Sequence, residues 1–136
     1  MKREKPIRVV MAKAGLDAHE RGLITVCMGL RDEGMEIIYT GLRQTPEMVL
    51  QAAIQEDANV LGISSLAGGH NAFVSKLRRV AQEKGFDLDG LLILVGGIIP
   101  REDIATLKDM GVSATFGPGT SIQEISDYIK ENIRPR

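Results

Sequence analysis

The chain has 136 residues, of which 43% are hydrophobic, 26% charged and 4% aromatic, a size and balance that suit one domain (1–136) with a buried core and frayed ends at 1–6 and 134–136. A net charge of −1 with a pI near 6.1 gives no electrostatic reason to expect a nucleic acid or an anionic membrane as partner. No apolar run is long enough for a signal peptide or membrane span, and a single cysteine, Cys27, excludes an internal disulfide and fits a reducing, cytoplasmic setting.

Ile7 to Met11 is apolar and predicts the first strand. Glu20 to Glu33 follows as a helix, with Leu23, Val26, Cys27 and Leu30 on one face and Gly34 where a helix-terminating glycine belongs. Met35 to Tyr39 predicts the second strand. Thr45 suits an N-cap and Pro46 a first helical turn, so a helix runs to about Asp57. Asn59 to Ile63 is the third strand, and a helix from about Asn71 to Lys84 buries Phe73, Leu77, Val80 and Ala81 before Gly85 stops it. Leu91 to Val95, five apolar residues in a row, is the fourth strand. Pro100 opens a helix that buries Ile104 and Leu107 and ends at Gly111; Val112 to Phe116 is the fifth strand. A capping box, either Thr120 with Gln123 or Ser121 with Glu124, starts a last helix carrying Ile122, Ile125 and Ile129.

Strict βα alternation means a parallel sheet with right-handed crossovers, and five strands favour an α/β, flavodoxin-like, doubly wound fold of order 2-1-3-4-5. A ligand on such a sheet binds at the carboxyl ends of the strands, near the switch point between strands 1 and 3. The βα loops there are rich in small residues. The first holds Lys13, Gly15, Asp17, His19 and Gly22, and the second holds Gly41. The third holds Ser64, Ser65, Leu66, Gly68 and Gly69, the fourth Gly96 and Gly97, the fifth Gly117, Gly119 and Thr120. Glycines also serve as ordinary turn residues. Gathered at one end of a sheet, they allow a bulky ligand to approach the backbone closely.

Common ligand signatures fail in turn. There is no phosphate-binding GxxxxGK[ST] loop and no GxGxxG after the first strand. A phospho-receiver needs an aspartate at the end of the third strand, where this chain has Ser64. Cysteine clusters and paired-histidine spacings for a metal are missing. What remains is His19, two residues after Asp17, in a glycine-punctuated loop. A metal-bound imidazole commonly gives its other N–H to a carboxylate. One protein nitrogen is too few for a bare zinc or iron, but suffices for a metal that brings its equatorial ligands in a macrocycle. The other histidine, His70, opens the third helix and reads as a capping or core-rim residue, with a contact to corrin amides as the other reading.

Asp17-x-His19-x-x-Gly22, then Ser64-x-Leu66, then Gly96-Gly97 resembles the cobalamin-binding domain family, whose motif runs DxHxxG, SxL, GG in that order. The resemblance spans the chain and is nearest to the carboxy-terminal domain of methylmalonyl-CoA mutase, here as a small subunit. Tyr39-Thr-Gly-Leu42, Gln44-Thr-Pro46, Gly62-Ile-Ser-Ser-Leu-Ala67, Gly96-Gly-Ile-Ile-Pro100 and Phe116-Gly-Pro-Gly-Thr120 support it. Ala18 and Glu20 depart from the family's more frequent Gly and Asp without replacing the ligand residue.

The resemblance implies adenosylcobalamin with its nucleotide tail inserted between strands 1 and 3 and His19 as the lower axial ligand of cobalt. Asp17 would accept the other imidazole N–H, and Lys13 would pair with that carboxylate. Ser64 would hydrogen-bond the benzimidazole, and Leu66 would pack beside the tail. Gly22, Gly96, Gly97, Gly117, Gly119 and Thr120 would leave room for the tail and its ribose phosphate, and Gly41 would line the same wall. It also implies an isomerase that works only in a complex: a large TIM-barrel subunit holds the acyl-CoA, and radical chemistry interconverts methylmalonyl-CoA and succinyl-CoA. A chaperone could load the cofactor. Alternatives are a related hydroxyisobutyryl-CoA or ethylmalonyl-CoA mutase, a non-enzymatic cobalamin carrier or sensor, a corrinoid methyl carrier, and a flavodoxin-like domain for another nucleotide or none. Methyl carriers usually have a helical cap ahead of the sheet, and only six residues precede the first strand here.

Overall fold

A computed structural model describes residues 5–14, 21–64 and 69–133. Five parallel strands, β1 (Arg8–Lys13), β2 (Glu36–Tyr39), β3 (Val60–Ser64), β4 (Leu92–Gly96) and β5 (Ala114–Phe116), form one sheet in the order β2-β1-β3-β4-β5. The helices are α1 (Arg21–Asp32), α2 (Pro46–Gln55), α3 (His70–Lys84), α4 (Arg101–Asp109) and α5 (Ile122–Asn132), with a 3-10 turn at Leu88–Gly90. This is the doubly wound α/β fold expected from the alternation.

Local chemistry sets the element ends. The Thr45 hydroxyl accepts from the Met48 N–H at 3.2 Å with Pro46 in the first turn, and α3 ends on Gly85 in the left-handed region. Of the two candidate boxes ahead of α5, Ser121 with Glu124 is the one formed, the Ser121 oxygen accepting from the Glu124 N–H at 3.1 Å. Thr120 instead closes the turn before it, its hydroxyl donating to the Gly117 carbonyl at 2.8 Å. Some details depart from expectation. His70 rather than Asn71 begins α3, Pro100 caps α4 rather than opening it, and Ile104 is only half-buried, leaving Leu107 as the buried residue of α4.

Residue parity along the strands divides the core in two. Val10, Ala12, Leu61, Ile63, Ile93 and Val95 pack under α2, α3 and α4. Val9, Met11, Val60, Leu92 and Leu94 face α1 and α5, with Leu23, Cys27, Leu30, Ile125 and Ile129. At the amino ends of the strands Arg8 ties the sheet together, pairing with Glu36 at the start of β2 and with Glu56 beyond α2.

Candidate functional site

The register of the sheet assembles the site. Lys13 pairs with Ser64, Ser64 with Gly96, and Gly96 with Phe116, so one row crosses four strands at their carboxyl ends. The next row on the same face is Met11, Gly62, Leu94 and Ala114. Apart from Ala114, these rows floor a cavity of about 570 Å³ on the α1–α5 side. Its helical walls are Leu23, Val26 and Leu30 of α1 and Ile125 and Ile129 of α5, and Gly117, Pro118, Gly119 and Thr120 border it beyond β5. The size falls within the usual range for a small-molecule site, roughly 300–1,000 Å³.

The cavity exists because α1 meets α5 along only part of its length. Gly29 lets Ile122 approach so closely that a Cβ there would sit 2.4 Å from Ile122 Cδ1. Below this contact Glu33 accepts from Ser126 at 3.2 Å and from Lys130 at 3.3 Å. In the first half of α1, Gly22, Leu23 and Val26 border the cavity. On the sheet side Gly62 serves the same end. A Cβ there would lie 2.4 Å from Met11 Sδ, so the missing side chain is what lets Met11 lie flat on the floor.

The walls are mostly apolar, and the polar atoms gather at the rim. Lys13 is 2% exposed and its Nζ donates to Ser64 Oγ at 3.3 Å. A buried ammonium is costly unless its protons are held by acceptors, so the position of this lysine is dictated by the rim rather than by solvent. Its backbone is fixed as well, the Lys13 carbonyl accepting from Gln44 N–H at 3.0 Å. Gly97, at φ 133°, adopts a backbone that disfavours any side chain, and its N–H donates to the Phe116 carbonyl at 3.1 Å, joining the fourth and fifth loops. Phe116 in turn meets the Tyr128 ring edge-on at 5.7 Å.

Of the residues singled out in the sequence, Lys13, Gly22, Ser64, Gly96, Gly97, Gly117, Gly119 and Thr120 come together around this cavity. Gly41 is not among its lining residues; it follows the edge strand β2, with Gln44 as its near neighbour. Asp17, His19 and Leu66 lie outside the described residues. Met11, Leu94 and Val26 of the floor and wall were not legible as site residues, since apolar strand and helix positions read equally well as plain core. His70 is buried as a core-rim residue and is not one of the lining residues. Among the described residues no group of three or more His, Cys, Asp or Glu side chains could hold a bare metal ion, and no helix is long and apolar enough to cross a membrane.

Residues 7–126 match the B12 binding domain. The 2-hydroxyisobutanoyl-CoA mutase small subunit of Aquincola tertiaricarbonis is 41% identical over 98% of this chain and 96% of its own length. The pivalyl-CoA mutase small subunit of Xanthobacter autotrophicus is 42% identical over 92% of this chain and 82% of its own. Methylmalonyl-CoA mutase of Cereibacter sphaeroides is 40% identical over 93% of this chain, which spans only 18% of that protein. Among solved structures, a cobalamin-binding protein from Desulfitobacterium hafniense superposes with a TM-score of 0.78 at 14% identity, over 93% of this chain and 59% of the other. The signal receiver domain of NarL from Mycobacterium tuberculosis superposes with a TM-score of 0.68 at 13% identity, over 93% and 95%. At such identities the structural likeness is one of fold.

Proposed function

The chain belongs to the B12-binding domain family, and from that membership we propose that it is the cobalamin-binding small subunit of an acyl-CoA mutase, an isomerase completed by a larger subunit. The observation that carries this reading is the row Lys13–Ser64–Gly96–Phe116 over an apolar cavity, because the described positions of the family's motif, Gly22, Ser64, Gly96 and Gly97, border it. The residues present fit the group. A flat aromatic base suits walls of Leu23, Val26, Leu94 and Ile125, and its polar edge has the Ser64 hydroxyl and Lys13 ammonium at the rim. The glycine-lined mouth leaves backbone free for a bulky ribose phosphate to lie against.

Adenosylcobalamin, when bound, supplies a carbon-centred radical through homolysis of its cobalt–carbon bond. This chain's residues bind and orient. His19 is proposed to hold the cobalt through one ring nitrogen, and Asp17 would accept its other N–H and so fix the tautomer and ring orientation. Lys13, which donates to Ser64, would also hold that carboxylate, Ser64 would meet the base, and Leu66 would pack beside it. Gly22, Gly96, Gly97, Gly117, Gly119 and Thr120 bound the tail. The acyl-CoA would be held by a TIM-barrel large subunit, in the cytoplasm.

For the substrate, the Phe116-Gly-Pro-Gly-Thr120 loop supports methylmalonyl-CoA. A second reading, 2-hydroxyisobutyryl-CoA, is supported by the 41% identity to a small subunit matched over 96% of its length. The test is the visible spectrum of added cobalamin with the wild-type chain and with His19→Ala. A base-off, histidine-on change in the wild type that the variant lacks is expected; no retention of cobalamin by the wild type, even with a large subunit, would refute the proposal. Turnover of each acyl-CoA by the reconstituted complex decides between the two substrates.

A further inference from the structure

The first turn of α3 grips the turn between β4 and α4 at both ends. His70 is 5% exposed and its Nε2 lies 3.3 Å from the Ile98 carbonyl. A carbonyl only accepts, so Nε2 carries the proton. The next residue, Asn71, donates from Nδ2 to Asp103 Oδ1 at 3.1 Å. Two consecutive side chains of α3 therefore hold the start and the end of the 98–103 segment. The arrangement leaves polar atoms orphaned: His70 Nδ1 and Asn71 Oδ1 are buried without a hydrogen-bond partner among the described residues. Filling the space under the turn needs no polar group, and a leucine would fill it without orphan atoms. What the histidine adds is a fixed Ile98 carbonyl.

Ile98 is the reason such fixing matters. At 66% it is the most exposed of the large hydrophobic side chains among the described residues, and it directly follows Gly96 and Gly97 on the cavity rim. A macrocycle tethered to a tail inside the cavity must rest on that rim. We propose that His70 is a positioning residue for cobalamin: by holding the Ile98 carbonyl it sets the height of the Gly96–Gly97 rim and keeps the Ile98 side chain as an apolar rest for the underside of the macrocycle. This rests on the cobalamin reading above.

The experiment titrates the whole chain with hydroxocobalamin, followed by visible absorbance, for wild type, Ile98→Ala, His70→Phe, His70→Gln and the double variant His70→Phe/Ile98→Ala, each with a thermal melt. Ile98→Ala removes an exposed side chain, so its melt should match wild type while its affinity falls about fivefold. His70→Phe should weaken binding to a similar extent, and the double variant should be no weaker than the weaker single, because both changes break one path. His70→Gln, which keeps a donor at similar reach, should restore binding. Unchanged affinity in Ile98→Ala, additive losses in the double variant, or a His70→Phe effect confined to the melt would overturn the inference while leaving the cobalamin reading intact. A wild-type chain that binds no cobalamin would overturn both.

Discussion

Gly62→Ala is the sharpest test of the cavity floor. The added Cβ would lie 2.4 Å from Met11 Sδ and 3.2 Å from its Cε. The clash is with the far end of a flexible side chain, not with backbone, so the thioether can move. Met11 lines the cavity, and the cavity is the open volume beside it. The stability cost should therefore sit at the low end for overpacking, about 1 kcal/mol. For a chain of this size that lowers the melting temperature by about 3–5 °C. Ligand binding should suffer more, since the displaced sulfur occupies the space meant for the tail: a loss of about 2 kcal/mol, or roughly thirtyfold in Kd, follows if tail and sulfur compete for one site. Equilibrium titration with hydroxocobalamin beside thermal denaturation separates the two effects. Met11→Ala in the Gly62→Ala background should restore affinity by vacating the floor, without restoring stability. Wild-type affinity in Gly62→Ala, or no recovery in the double variant, would refute the reasoning.

Gly29→Ala should behave in the opposite way. Its Cβ would meet three atoms of Ile122, at 2.4, 2.7 and 3.0 Å, and a branched side chain held between two helices cannot swing aside; a loss of about 2 kcal/mol in a denaturant titration is expected, and a loss below about 0.5 kcal/mol would show that α1 and α5 part easily. Burial pushes the Cys27 thiol from its ordinary 9.0 up to about 11. Iodoacetamide at pH 8 should therefore leave the folded chain unmodified and label it fully in denaturant. Because the folded value is the raised one, the stability linked to this thiol is intact below pH 9.0 and declines as pH rises through about 11; Cys27→Ala should flatten that decline. Glu47, in the first turn of α2, has its carboxyl held below 4.5 by backbone hydrogen bonding and then by Lys76. Its contribution is present above 4.5 and is lost as pH falls through the lowered folded value, and a side-chain titration by NMR that places it at or above 4.5 would contradict this.

The sequence alone determined the strand and helix succession, because apolar runs, caps and terminal glycines are local signals. Thr45 before Pro46, Gly85 after Lys84 and Ser121 before Glu124 each act within one turn of chain, and strict βα alternation leaves few topologies beyond the order observed. The same locality made the loop residues at the carboxyl edge legible as a group. Tertiary structure alone decided the rest. Period-two alternation says which face a residue shares within its own strand, but not which residue of the next strand stands beside it. Register put Ser64 beside Lys13 and Gly62 beside Met11, making the lysine a buried rim residue and a strand glycine part of a cavity floor. The partial contact of α1 with α5, which opens the cavity, depends on Gly29 meeting Ile122 across 93 positions of sequence. The hold of His70 on Ile98 likewise joins residues 28 positions apart. No local pattern encodes such a meeting; it exists only once the two helical layers have closed on the sheet.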